Sequence, residues 1–204
     1  MSASTHAAPP QDTLAAKVLH ATGGSPMDCY QCGRCAAGCM QNVAGEMDLS
    51  PTRILRLLQL EAAFNHDSAL KRTFRQQALS ADTPWLCAGC QACTTRCPQG
   101  IDIAGTMDVL RQEGLASGEA SPSKRARDIQ ALHGVFVEQA TKRGRIHELA
   151  LVMFYKLRTG HFMQDAMLGP AMLRKGKLHI LPGRGIDTKR VRDAAKAIRA
   201  EDHT

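Results

Sequence analysis

Two cysteine runs constrain this chain more than any other feature of its sequence. The first reads Cys29-Tyr30-Gln31-Cys32-Gly33-Arg34-Cys35-Ala36-Ala37-Gly38-Cys39, and the second Cys87-Ala88-Gly89-Cys90-Gln91-Ala92-Cys93-Thr94-Thr95-Arg96-Cys97-Pro98. Both follow the spacing C-x2-C-x2-C-x3-C, and together they use all eight cysteines of the 204 residues. A cubane [4Fe–4S] cluster presents four irons at tetrahedral corners, each needing one outward thiolate. Three cysteines at three-residue steps can wrap one face of the cube along a curled backbone. The fourth, four residues later, points out of that curl. An all-cysteine zinc site takes two C-x2-C dyads, which leaves the duplicated third step unexplained. Disulfides fit less well: the cysteines are sparse for a chain of this length, and no charged-then-apolar secretory layout opens it.

The runs resemble those of bacterial-type ferredoxins, including the terminal Cys97-Pro98. In two-cluster ferredoxins the fourth thiolate of each run ligates the other cluster. That resemblance assigns one cluster to Cys29, Cys32, Cys35 and Cys97, and the other to Cys87, Cys90, Cys93 and Cys39. Gly33, Gly38 and Gly89 let backbone N–H groups approach the sulfurs, or simply permit tight turns. Arg34 and Arg96 offset cluster charge or face solvent.

Aromatic residues make up only 4% of the chain and alanine is abundant, which favours an all-helical fold. Expected helices run from near Asp12 to Gly23-Gly24, from the Ser50-Pro51 cap to about Ala63, and from Asp67 to Leu79 with Leu70, Phe74 and Ala78 inward. Asp102 caps a further helix holding Ile103, Met107 and Leu110, expected to cover the clusters from the other side. Trp85 is read either as a cluster shield or as ordinary core. No strand pattern separates the runs, so the small βαββαβ ferredoxin does not fit. The expected fold class is all-α: an α-helical ferredoxin domain with two [4Fe–4S] clusters and a C-terminal helical extension.

Expected boundaries are 1–25 for a tail and short helix, 26–115 for the ferredoxin domain and 122–204 for an extension that docks on another subunit. Residues 116–123 read as a linker. Helices are expected from Pro122 to Lys142, from Arg145 to Arg158 and from Thr188 to Ala200, too short to build a core of their own. Met153, Met163, Met167 and Met172 add soft apolar surface there. No stretch is long enough to span a bilayer, and iron-bound thiolates favour the cytoplasm.

Charge is unevenly spread. Residues 1–120 carry 9 Lys+Arg against 11 Asp+Glu, while residues 121–204 carry 17 against 8, a net of +9. Each cluster with its thiolates adds about −2, so the loaded first part approaches about −6. The basic tail therefore suits an acidic partner protein or the chain's own acidic half better than nucleic acid, since it lacks interleaved aromatic residues for stacking. The eight histidines are scattered, and no P-loop, GxGxxG, nucleophile elbow or flavin motif is present. No catalytic site of its own is expected.

Over most of its length the chain resembles the C-subunit family of heterodisulfide reductase. The likeness rests on both cysteine runs, the Ser50-Pro51 helix, Ile101-Asp102-Ile103, Gly144-Arg145 with Glu148, and residues 168–182, which end in GKLHILP. The cysteine runs alone would also suit respiratory relays such as succinate dehydrogenase or glycolate oxidase subunits; the tail narrows the choice. Met40 stands where that family usually has proline, which predicts a looser turn after Cys39. The resemblance implies an electron relay through two cubanes between two other subunits. One contains flavin and the other carries CCG domains, with a lipoate-binding protein as a further partner. It implies a sulfur substrate handled elsewhere: the coenzyme heterodisulfide, or sulfane sulfur in the bacterial setting towards which the Ala/Arg-rich composition leans.

Overall fold

The computed structural model describes residues 8–119, 123–162, 168–176 and 187–201. Twelve α-helices and one 3-10 turn are present among them, and no strand. The chain divides into two compact units, residues 1–127 and 128–204, with the boundary inside one helix.

In the first unit, α1 (Leu14–Thr22) starts at Thr13, whose hydroxyl accepts the Ala16 N–H, and stops at Gly23 in the left-handed conformation. A 3-10 turn (Pro26–Asp28) precedes the first run, whose own helices are the single turns α2 (Arg34–Ala37) and α3 (Met40–Val43). Ser50 then caps α4 (Pro51–Ala63), and Asp67 caps α5 (Ser68–Leu79). The second run follows a short α6 (Thr83–Leu86) and contains α7 (Ala92–Arg96). Asp102 caps α8 (Ile103–Ser117) through a bond from Gly105 N–H.

The long helices build one core. Leu14 and Val18 of α1 meet Ile54, Leu55 and Leu58 of α4, Ala78 and Leu79 of α5, and Ile103, Met107 and Leu110 of α8. Each fully buried large aliphatic side chain there contributes roughly 1.5–3 kcal/mol. The N-terminal helix is thus an integral wall of this unit. Two expectations need correction. Leu70 is 38% exposed and faces away from the core, because α5 has only one flank against α4 and α8 and spends its inward positions on Ala78 and Leu79. The stretch expected to be linker from residue 116 is helical through Ser117 and ends at left-handed Gly118.

The second unit holds most of α9 (Lys124–Arg143), then α10 (Glu148–Thr159), α11 (Leu168–Arg174) and α12 (Thr188–Glu201). At 20 residues α9 is the longest helix among the described residues, so these helices are not uniformly short. Its break at Gly144 falls where expected, but α10 starts at Glu148 rather than at Arg145, capped by the His147 ring. Burial here is sparse: only Val135 and Gln139 are buried among the described residues of this unit. Met153 and Met172 lie on the surface, whereas Met163, Met167 and most of the GKLHILP motif lie outside the described residues.

Candidate iron–sulfur site

Both runs follow one backbone plan. A hydroxyl residue and a proline, Ser25-Pro26 or Thr83-Pro84, open a short helical turn that delivers the first cysteine. The second and fourth residues after that cysteine are then left-handed: Gln31 (φ 62°) and Gly33 (φ 77°) in one run, Gly89 (φ 64°) and Gln91 (φ 61°) in the other. Two reversals in four residues curl the chain so that thiols three residues apart turn to a common side. Glycine tolerates this conformation, whereas a side chain costs roughly 1–2 kcal/mol. At Gln31 the amide offsets that cost, donating to Cys29 Sγ at 3.5 Å and to Gln59 Oε1 at 3.2 Å. One helical turn follows in each run, and the fourth cysteine leaves it extended: Cys39 at φ −88°, ψ 115° and Cys97 at φ −73°, ψ 118°.

The extended exits carry each fourth cysteine across to the other run. Cys39 lines a cavity of about 180 Å³ together with Cys87, Cys90 and Cys93. The rest of its wall is largely apolar, with Met40, Met47, Pro51, Ile103, Ala104 and Met107. The sulfurs acting electrostatically on Cys29 are those of Cys35, Cys97 and Cys32. So the fold brings Cys97 to the first run and Cys39 to the second. Among the described residues, no three His, Cys, Asp or Glu side chains converge on the single point that one metal ion needs. A cube spreads its four thiolates over four irons, and an all-sulfur set of four around an apolar cavity fits that demand.

Burial pushes the thiols of Cys29, Cys87 and Cys93 upward in pKa. Local donors oppose it: the Gln31 N–H at Cys29, the Gly89 N–H and the Arg111 charge at Cys87, and Thr94 at Cys93. The same donors favour a bound thiolate. Thr52 Oγ1 lies 3.2 Å from Cys35 Sγ, and Met47 Sδ 4.0 Å from Cys39 Sγ. Cys35 is buried, while Cys32 and Cys90, the second thiol of each run, are exposed.

Gly33 and Gly89 are favoured by their left-handed backbone, although the matching positions of the other run, Gln91 and Gln31, carry a side chain. Gly38 has a different role: its φ is −96°, and a Cβ there would stand 1.8 Å from Arg96 Nη1. Arg96 is thus laid across Gly38, residue against residue just before the two fourth cysteines. The turn after Cys39 is not loosened by Met40. Val43 and Ala44 N–H bond to the carbonyls of Cys39 and Met40 at 2.9 Å each, because the first position of a helix accepts proline or methionine alike. Trp85 is 4% exposed and does not line the thiol cavity, which favours the core reading.

Two residues were invisible to the motif. Gln59 Nε2 donates to the carbonyls of Pro26 (3.1 Å) and Cys29 (2.6 Å). Arg111 donates through Nε to Pro84 O (2.6 Å) and through Nη2 to Cys87 O. The available signal was a polar side chain on an apolar helix face, Gln59 beside Leu55, Leu58 and Ala62, and Arg111 beside Met107 and Leu110.

Residues 28–101 match the 4Fe-4S dicluster domain family. The chain is 32% identical over 138 residues to the C-subunit of the ferredoxin:CoB-CoM heterodisulfide reductase of Methanosarcina mazei, covering 66% of this chain and 76% of that protein. The C-subunit of the ferredoxin/F(420)H(2)-dependent CoB-CoM heterodisulfide reductase of Methanosarcina acetivorans gives 31% over the same length, with the same two shares. The C-subunit of the H(2):CoB-CoM heterodisulfide,ferredoxin reductase of Methanothermobacter marburgensis gives 27% over 127 residues, 60% of this chain and 61% of that protein. The chain carries two [4Fe–4S] clusters and is an iron–sulfur electron-transfer subunit. With its paired dicluster runs on an all-helical frame, it belongs to the C-subunit family of heterodisulfide reductase.

Proposed function

We propose that this chain is the electron relay of a heterodisulfide-reductase-like complex. It passes electrons between a flavin-containing subunit and a CCG-domain subunit that handles the disulfide or sulfane sulfur. In this reading Cys29, Cys32, Cys35 and Cys97 hold one cubane, and Cys87, Cys90, Cys93 and Cys39 hold the other. The observation that supports it most is Cys39 sharing one apolar cavity with the three leading cysteines of the second run. When bound, each cubane accepts and returns one electron. Ile103, Met107, Met47 and Pro51 keep water from the thiolates, while exposed Cys32 and Cys90 leave an edge of each site open towards a partner. The shared plan of the two runs keeps both sites within one rigid core, as short-range exchange requires.

The second unit serves subunit docking. Its α10 exposes Val152, Met153, Phe154 and Leu157, more apolar surface than scattered residues need. The complex works in the cytoplasm; no described helix is long and apolar enough to cross a membrane. Anaerobic purification of the native complex tests this reading, with partner identification and metal analysis. About eight irons and eight sulfides per chain are expected, together with flavin and CCG subunits. A solitary chain with no such partners would sink it. Cys39→Ser and Cys97→Ser each disturb one cluster of the opposite run; if both disturb only their own run, the crossed ligation is wrong.

A further inference from the structure

The two runs are gripped at the same pair of carbonyls by side chains of different charge. In each, the residues held are the first cysteine and the proline three positions before it. Gln59 of α4 holds Pro26 and Cys29 with a neutral amide. Arg111 of α8 holds Pro84 and Cys87 with a cationic guanidinium. The Arg111 side chain is only 16% exposed, so water screens it incompletely. Its carboxylate partner, Asp108 at 2.6 Å, is 59% exposed and far better solvated, so the pair is not neutral as felt from the cavity side. On the first run a guanidinium comes no nearer by this route than Arg56, which is exposed and meets the Oε1 of Gln59 at 3.3 Å.

Resting on the ligand assignment above, we propose that Arg111 is a positioning residue that also raises the reduction potential of the cluster held by Cys39, Cys87, Cys90 and Cys93. One-electron reduction adds a negative charge to a cluster. A fixed cation behind the Cys87 carbonyl stabilises the reduced form, and the neutral amide behind Cys29 does not. The grip therefore does two things at once: it fixes the entry to the run, and it biases where an electron rests.

The test is an anaerobic redox titration of the loaded full chain followed by EPR. Cys90→Ser alters or removes the signal of one cluster only, and so identifies which midpoint belongs to it. Arg111→Gln copies the neutral grip of Gln59; the marked midpoint should fall by an amount equal to about tenfold in its reduction equilibrium, 59 mV for a one-electron couple, with the other midpoint unmoved. Asp108→Asn removes the opposing charge without touching the grip and should move the same midpoint upward. Arg111→Gln protein that holds both clusters with neither midpoint shifted, or both shifted alike, overturns the proposal. Should Arg111→Gln fail to retain iron, an Asp108→Asn midpoint that stays put overturns it equally. Wild-type protein holding fewer than two cubanes would instead overturn the ligand assignment, before any midpoint is compared.

Discussion

Glu61 lies wholly inside the first unit, with Oε2 accepting the Leu14 N–H at 2.9 Å and Arg75 Nη1 3.5 Å from Oε1. Arg75 also reaches Glu113 at 3.2 Å, which in turn pairs with Lys17, so one line of charges links α1, α4, α5 and α8. Burial raises the Glu61 pKa above its ordinary 4.5, despite the Leu14 bond and the Arg75 charge that lower it. A raised folded-state value means the stabilising contribution of the protonated form is complete below pH 4.5 and is lost as pH rises through the folded pKa. Glu61→Gln keeps an acceptor for Leu14 and should flatten that part of the stability profile. Melting curves of loaded wild-type and variant protein, taken across this range, check it; parallel profiles would refute it. Glu61→Ala leaves the buried Leu14 N–H unpaired and should cost about 1–3 kcal/mol. In the second run, Gly89→Ala forces a side chain into a left-handed position and should cost roughly 1–2 kcal/mol, whereas Gln91→Gly, at the matching left-handed position, should not destabilise. Chemical denaturation of the two variants separates them.

At the scale of elements, the second run is held by more than its own turn. Asp48, in the segment before α4, accepts Thr83 N–H at 2.9 Å, Thr83 Oγ1 at 2.7 Å and Asp82 N–H at 3.0 Å. This clasp fixes the start of α6, and α6 delivers Cys87. Asp48→Ala should cost about 1–3 kcal/mol, because the backbone N–H of buried Thr83 loses its acceptor, although its hydroxyl keeps the Leu49 carbonyl. It should also speed loss of visible absorbance under mild chelation; a variant that bleaches at the wild-type rate would show the clasp to be dispensable. Gly38 and Arg96 form a second join, between α2 and α7. Gly38→Ala must displace the guanidinium, and Gly38→Ala combined with Arg96→Ala should recover much of the lost stability.

For the whole molecule, cluster binding and folding are coupled. Helices α2, α3, α6 and α7 have four or five residues each, too short to persist unaided. Removing iron should therefore melt them first, while α4, α5 and α8 keep the apolar core. Hydrogen exchange of loaded and iron-free protein reads this directly: protection should vanish over residues 29–43 and 83–97 before it falls in α4. Uniform loss across the first unit would contradict that order. Charge acts at the same scale. Under the proposed docking, the +9 of residues 121–204 and the exposed apolar positions of α10 predict that partner binding, read in a pull-down of the complex, weakens with added salt and with Phe154→Asp.

Much was legible in the chain itself, for local reasons. Cysteine spacing dictated the chemistry, because a cubane demands thiolates at fixed steps. Capping residues announced helix starts at Ser50, Asp67 and Asp102, since orphan N–H groups need a nearby side-chain acceptor. What depends on contacts between distant segments was not legible. Leu70 was expected inward and lies outside, because periodicity assigns a face but not the neighbour that covers it. Gln59 and Arg111 look like ordinary helix residues until folding brings them against cysteine carbonyls 30 and 24 positions away along the chain. Glu61 reads as a surface acid until α1 folds over it. The sequence alone determined that this is a two-cluster iron–sulfur chain and where α4, α5 and α8 begin; tertiary structure decided which charges stand behind the cysteine runs, because electrostatic environment follows distance in space and not along the chain.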